Sequence, residues 1–230
     1  MQLPEQIDAT DIRAADGLYA VLVNDEPLRT PKGHPVQVSS WDLANAMADE
    51  LMAEGVLDLQ RLTLYALYAT QRDFVADRLD ATIGAILQHL PGDFELHPDP
   101  DPALAAKQLA AWAPLLAFLR DLGPELPMSR PLQDMQMPWE LTEGLRTHLV
   151  AMSPAQLTVV MQAVTNLGSA VLGILLAQQG LEVEKAVSAL TVTARHLARY
   201  AHEEPEQAEM FAAEMSQIAR RLLQYVRLSA

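Results

Sequence analysis

No cysteine occurs among the 230 residues, which excludes a disulfide framework, thiolate-ligated zinc and thiol nucleophiles together. That accords with a reducing compartment. Positive charge is scarce as well: 16 Lys and Arg stand against 30 Asp and Glu, a formal net charge of −14. An acidic surface of this kind repels phosphate backbones, and no Lys/Arg-rich run interrupts it, so nucleic acid is not an expected partner. No apolar run is clean enough for a membrane span. The longest, Leu157 to Ala177, is broken by Gln162, Thr165, Asn166, Gly168, Ser169 and Gly173. It is expected to form a buried bundle helix ended by Gly180, with Gly168 and Ser169 allowing close approach of a neighbour, and no membrane insertion follows from it. The opening MQLPEQIDATD has neither the apolar core of a signal peptide nor the Arg-rich character of a transit peptide. The expected location is a bacterial cytoplasm, or the mitochondrial matrix if a presequence was removed.

Catalytic signatures are missing too. There is no P-loop, dinucleotide fingerprint, nucleophile elbow or His-Glu-x-x-His motif. His196 and His202, six residues apart, project from different helix faces without a third ligand, and read as solvated or capping. Asp73, Asp77 and Asp80 share one helical face opposite an apolar stripe and read as a solvated acidic stripe, not a cation site. His148, beside Leu145 and Leu149, reads as a core histidine. No catalytic residue, metal ligand or cofactor is assigned, and the chain is expected to be a binding protein, not an enzyme.

What is present is a globular balance: half the residues are apolar and a fifth charged, enough to bury a sizeable core. From Gly17 to Val38 the pattern is β-like, with LYAVLV as a strand, Asn24-Asp25 as a turn, and Pro31, Gly33 and Pro35 turning the chain into PVQV. At Ser39 the period changes. Ser39 and Asp42 have capping-box spacing and Leu43, Met47 and Leu51 recur every fourth residue, predicting a helix closed by Gly55. Leu64, Leu67, Tyr68, Val75, Leu79, Ile83, Ile86 and Leu90 trace one long helix or two abutting ones. Asp101-Pro102 caps the next, which Pro114 should kink. A Pro- and Met-rich connector spans 123–138. Helices then follow on Leu141 to Met152, from Ser153-Pro154 with Gln156 as a capping box, on Val183 to Leu197, and on Phe211 to Val226. The expected class is α+β: a small N-terminal α/β domain over 1–58 with a short-stranded antiparallel sheet and one helix, then a larger all-α domain over 59–230.

GLYAVLVNDEPLRTPKGHPVQVSSWDLANAMADE closely resembles the opening of the F-type ATP synthase assembly chaperones of the ATP-twelve family. The sharpest match is Thr30-Pro31-Lys32-Gly33 with Pro35 behind it. Leu64, Leu67, Thr70 and Asp73, then Trp112 with Pro114-Leu115-Leu116, then Gly168-Ser169 follow in the family's order. The resemblance implies the two-part architecture above and an activity of holding the newly made ATP synthase alpha subunit, keeping it from aggregating until it pairs with beta. It implies no cofactor. A monomer is favoured.

Members carry a C-terminal acidic-aromatic block where this chain reads LTVTARHLARYAHEEPEQAE, with Thr191, Val192 and Ala194 in place of acids and Trp. Glu50 is followed by Leu51 where the family has Trp. The expected client-contacting residues are therefore Thr30, Pro31 and Gly33 in the hairpin, and Arg195, Arg199, Tyr200, Glu203 and Glu204 in the C-terminal segment. Met128, Met135 and Met137 of the connector join them as adaptable apolar surface, or else fill gaps under a long loop. Two other readings stay open: a small helical enzyme or ligand-binding protein with its pocket in the bundle, and a chaperone-like protein with another client.

Overall fold

A computed structural model describes residues 6–123, 126, 128, 137–200 and 205–230. The chain divides into two compact units, Met1–Leu79 with Gln224–Ala230, and Asp80–Leu223.

The first unit opens with a strand absent from the sequence expectation. β1 (Thr10–Ala15) pairs antiparallel with β2 (Leu18–Val23) across Asp16-Gly17. Both turn residues are left-handed, at φ 53° and 76°, the geometry that matches the twist of a two-residue hairpin and that Asp-Gly favours. Asn24 and Asp25 repeat the device at φ 51° and 67° and return the chain into β3 (Glu26–Pro27), which pairs with the end of β2. β4 (Gln37–Val38) pairs with its beginning. β2 is thus central, with β1 on one edge and β3 and β4 sharing the other. Its Val21, Leu22 and Val23 are all buried, so this end of the strand is covered on both faces. The Asn24 side chain ties down the segment before β1, its Oδ1 accepting from the amides of Asp8 and Ala9 and its Nδ2 donating to the Gln6 carbonyl.

α1 (Trp41–Glu54) packs on β1 and β2 through Leu43, Ala44, Met47, Ala48 and Leu51. Its cap is Ser40, not Ser39: the Ser40 hydroxyl accepts from Leu43 N at 3.2 Å. Gly55 ends the helix in the left-handed conformation as expected. The stripe from Leu64 resolves into α2 (Leu64–Thr70), a π-turn over Gln71–Val75, and α3 (Leu79–His89). In the final turns of the chain, the Tyr225 hydroxyl donates to Gln71 Oε1 at 2.5 Å.

In the second unit, α4 (Pro102–Ala111) and α5 (Ala113–Leu122) meet at Trp112 with a 71° bend. Pro114 cannot donate to the Ala110 carbonyl, so the helix breaks where the sequence predicted a kink. The buried Trp112 Nε1 donates to the Ala189 carbonyl at 3.0 Å. α6 (Trp139–Val150) follows, then the long apolar segment, which is two helices rather than one. α7 (Pro154–Leu167) starts on the expected Ser153/Gln156 capping box and stops at Gly168, φ 71°. Ser169 caps α8 (Ala170–Ala177). The residue that permits close packing of this pair is Gly173: a Cβ there would lie 2.8 Å from Ala163 Cβ and 3.0 Å from Val160 Cα. α9 (Val183–Tyr200) and α10 (Pro205–Leu228) complete the chain. The α9 stripe is buried at Val183 and Val187, but Leu197 is 37% exposed. His148 is no core residue either: half-buried, its Nδ1 meets Gln178 Nε2 at 3.0 Å and its ring packs edge-on against Phe118. Among the described residues no single helix is long and apolar enough to cross a membrane.

Candidate client-contact surfaces

Thr30 to Gly33 form a tight turn. Gly33 N donates to the Thr30 carbonyl and Thr30 N to the His34 carbonyl, each at 2.8 Å. Gly33 sits at φ 85°, a conformation that glycine adopts without strain. The turn is held from below by α2 and the π-turn. The Tyr65 hydroxyl donates to the Arg29 carbonyl at 2.8 Å, and the Tyr68 hydroxyl donates to the Gln37 carbonyl at 2.9 Å. Burial, and then the nearby Asp73 charge, push the Tyr65 phenol well above its ordinary pKa, so this donor keeps its proton.

Asp73 is the central tie. Its Oδ1 accepts from the Thr30 hydroxyl at 2.6 Å and its Oδ2 from the Lys32 amide at 3.0 Å. The Lys32 ammonium returns a bond to the Asp73 carbonyl at 2.5 Å and lies 4.2 Å from the centre of the Phe74 ring. The reading of Asp73 with Asp77 and Asp80 as one solvated stripe is therefore corrected. Asp77 and Asp80 are exposed, but Asp73 is 7% exposed. The π-turn is wider than an α-turn and shifts the phase of the helix, and the break before Leu79 resets it. Asp73 is thereby turned inward while Phe74 is left 52% exposed.

Of the hairpin residues expected to touch a client, Thr30 is wholly buried. Its hydroxyl donates to Asp73 and accepts from His34 N, so it fixes the turn and presents nothing outward. Pro31 is exposed and Gly33 half-buried. Sequence reasoning missed Phe74 and Lys32, which together with Pro31 form the outward face. The Trp41 ring, 49% exposed, stands edge-on to Tyr19 at 5.4 Å and adds a second apolar feature to this unit.

The second unit holds a buried acidic cluster. Asp93 Oδ1 accepts from Ala170 N, and its Oδ2 from Val171 N and the Ser169 hydroxyl. It thereby caps α8, where a carboxylate also opposes the positive end of the helix dipole. The Ser169 hydroxyl also lies 3.3 Å from Glu95 Oε1. Burial, and next the Asp93 charge, hold the Glu95 carboxyl well above the usual range. Burial likewise raises Asp93 against its hydrogen bonds from Val171, Ala170 and Ser169. Both carboxyls are fully buried, so the cluster organises the helix start and meets no substrate. Among the described residues no group of three His, Asp or Glu is placed to hold a metal ion. His196, read as solvated or capping, is 9% exposed, with Lys107 Nζ 3.0 Å from its Nδ1.

Met128 is 40% exposed and Met137 half-buried; Arg195 is half-buried on α9. Met135, Glu203 and Glu204 lie outside the described residues, as do His202 and the side chains of Arg199 and Tyr200. Among the described residues, the largest apolar exposures in this unit are Trp139 at 69%, Met210 at 67% and Val150 at 64%. Trp139 and Val150 are eleven residues apart on α6, three helical turns, and so share a face.

No curated protein matches the sequence. Among solved structures, the chain is similar to Atp12 from Paracoccus denitrificans, at 24% identity, 97% coverage of both chains and a TM-score of 0.80. A mutant of the same protein gives 0.79 at the same identity and coverage. The Atu1473 protein of Agrobacterium tumefaciens matches at 23% identity, covering 96% of this chain and 84% of that one, with a TM-score of 0.81. These likenesses establish the fold, a small antiparallel sheet followed by many helices. The model of the family described as ATP12 chaperone protein matches residues 6–120, a span that contains the whole sheet, the Asp73-held turn and the α4–α5 bend at Trp112, and on that match the chain belongs to the ATP12 chaperone family.

Proposed function

We propose that the protein is an assembly chaperone of ATP synthase that binds the alpha subunit of the catalytic head and prevents its aggregation until it pairs with beta. The supporting observation is family membership joined to large apolar side chains left in solvent, Trp139, Val150 and Met210 in one unit and Phe74 and Trp41 in the other. A protein that covers an aggregation-prone interface needs apolar surface of its own. Pro31 and Gly33 of the turn, the connector residues Met128, Met135 and Met137, and Arg195, Arg199, Tyr200, Glu203 and Glu204 are the proposed contacts. The activity is binding, with no catalytic step and no cofactor, by a monomer located where the head is assembled, in a bacterial cytoplasm or a mitochondrial matrix.

The test is co-expression with the alpha subunit, measuring the fraction of alpha that stays soluble and co-purifies. The expected result is a several-fold rise in soluble alpha and a complex that beta displaces. Absence of any association, under conditions where beta does bind alpha, refutes the proposal.

A further inference from the structure

β1 is an edge strand: among the described residues it pairs with β2 alone. Its outward main-chain groups can be read from the far side of β2. Val21, opposite Ile12, donates its N–H to the Val36 carbonyl and accepts from Leu28 N, both away from β1. Residues opposite each other in an antiparallel ladder bond either to one another or away from one another. The N–H and C=O of Ile12 therefore point out of the sheet, as do those of Thr10 and Ala14 at the same spacing. The Ile12 N–H is held there by the adjacent Asp11 carboxylate at 2.8 Å. The Thr10 hydroxyl donates to the Ala48 carbonyl of α1 at 3.3 Å. Thr10, Ile12 and Ala14 thus face the α1 side of the sheet, and Asp11 and Arg13, both exposed, face the other. Among the described residues Arg13 has no charged partner. Trp41, Ala48 and Met52 share one stripe of α1, which the Ala48 contact sets along β1, and both Trp41 and Met52 are exposed.

From this we infer that the β1 edge pairs with the β1 edge of a second copy of the chain, antiparallel about a two-fold axis at Ile12, joining the two sheets into one. Charge chooses the register. With the axis at Ile12, Asp11 stands opposite Arg13 of the second copy and Arg13 opposite its Asp11, at the closely spaced positions where cross-strand side chains meet. Moving the axis by one residue sets Asp11 against Asp11 or Arg13 against Arg13. In the favoured register Ile12 exchanges both main-chain bonds with its own copy, and Thr10 does so with Ala14. The same axis brings the helices together. Strands lie about 4.8 Å apart, so two helices, each seated over β1 and β2, come within about 10 Å of one another, a normal packing distance. Their Trp41 and Met52 stripes then face each other across the axis. An unrelated extended chain finds the same main-chain groups, but the run Asp-Ile-Arg is its own complement, as an interface between identical copies requires. So short a strand places the interface at the small end of the range, where pairing is reversible. The pairing belongs to the free protein and does not rest on the identity of the client; the species that holds the client is the monomer proposed above.

The test is sedimentation equilibrium of the full chain from micromolar to millimolar concentration. The expected result is a monomer–dimer equilibrium without larger species. Asp11→Arg and Arg13→Asp should each weaken it about tenfold or more. An equimolar mixture of the two should restore it as a heterodimer, and the chain carrying both changes should pair as the wild type does. Asp11→Arg makes each copy less negative, so general repulsion falls, and a weaker dimer is then explained by the lost cross-strand pairs. Ile12→Pro removes an outward N–H while leaving the β1–β2 ladder its bonds, and should abolish pairing; Met52→Glu should weaken it severalfold. All these variants should keep the melting temperature of the wild type. If Ile12→Pro fails to fold, the charge exchange, made at two exposed positions, decides alone. A wild type that stays monomeric throughout, a dimer indifferent to both single charge changes, or a mixture that does not restore pairing overturns the inference. If the wild type stays monomeric while Ile12→Pro loses capture of the alpha subunit, the edge takes a client strand and the second-copy assignment falls.

Discussion

Replacing Asp73 with alanine should unfasten the turn that carries Pro31 and Lys32, and the cost follows from what it strands. The carboxylate accepts two bonds, from the Thr30 hydroxyl at 2.6 Å and the Lys32 amide at 3.0 Å. A hydrogen bond to a charged group contributes about 1.5–3 kcal/mol. Thr30 is wholly buried, so its hydroxyl cannot turn to water and the full loss applies there. Lys32 is exposed, and its amide recovers most of its loss from solvent. The expected cost of Asp73→Ala is about 3–4 kcal/mol. Thr30→Val removes the same 2.6 Å bond and the acceptor of His34 N, for about 2 kcal/mol. Because both single changes delete one shared bond, the double variant should cost about as much as Asp73→Ala alone, a coupling of about 2 kcal/mol. The assay is urea unfolding by fluorescence in a background with Trp112→Phe and Trp139→Phe. Of the three Trp only Trp41 then remains, and its transition reports the first unit. Additivity of the two variants within about 0.5 kcal/mol would show that the Thr30–Asp73 bond does not hold the turn.

Gly173→Ala places a methyl 2.8 Å from Ala163 Cβ and should destabilise the α7–α8 pair by about 1–3 kcal/mol; an unchanged melting temperature contradicts that packing. Glu95 holds its proton to higher pH in the folded state than in the unfolded one, because of burial and then the Asp93 charge. Between the unfolded value, about 4.3, and the raised folded value the native state therefore binds more protons, so stability falls as pH rises through that window. Glu95→Gln should flatten the decline and gain most at the alkaline end, and parallel melting curves for the two proteins from pH 5 to 9 would contradict the assignment. Trp139→Ser and Met137→Ser, at one 69% exposed and one half-buried position, should weaken alpha-subunit capture severalfold with little change in melting temperature. Loss of folding instead would place both in the core.

The elements of the fold were legible where one local signal decided them. The Ser153/Gln156 box, the Asp101-Pro102 start and Gly55 at the end of α1 all act through their own neighbours' backbone groups. Misreadings arose where a single residue competes with a periodic pattern. The apolar stripe from Leu157 to Ala177 fits one helix, yet Gly168 takes a left-handed φ and Ser169 offers a cap, and together these outweigh continuation. β1 was missed because TDIRAA is mostly exposed and lacks a buried face to reveal it; the Asp16-Gly17 turn was the available signal.

The candidate surfaces were legible in a different way. Helical-wheel reasoning sent Asp73 to solvent because it assumed one unbroken 100° step per residue, whereas a π-turn at Gln71–Val75 alters that step for the residue that matters. The ordered resemblance had singled out Asp73 alongside Thr30, and only their 2.6 Å contact explains why the two belong together. Net charge misleads in a similar manner. A total of −14 is a sound argument about phosphate backbones, but it averages over the stretch from Lys185 to His202, where every formal charge is positive.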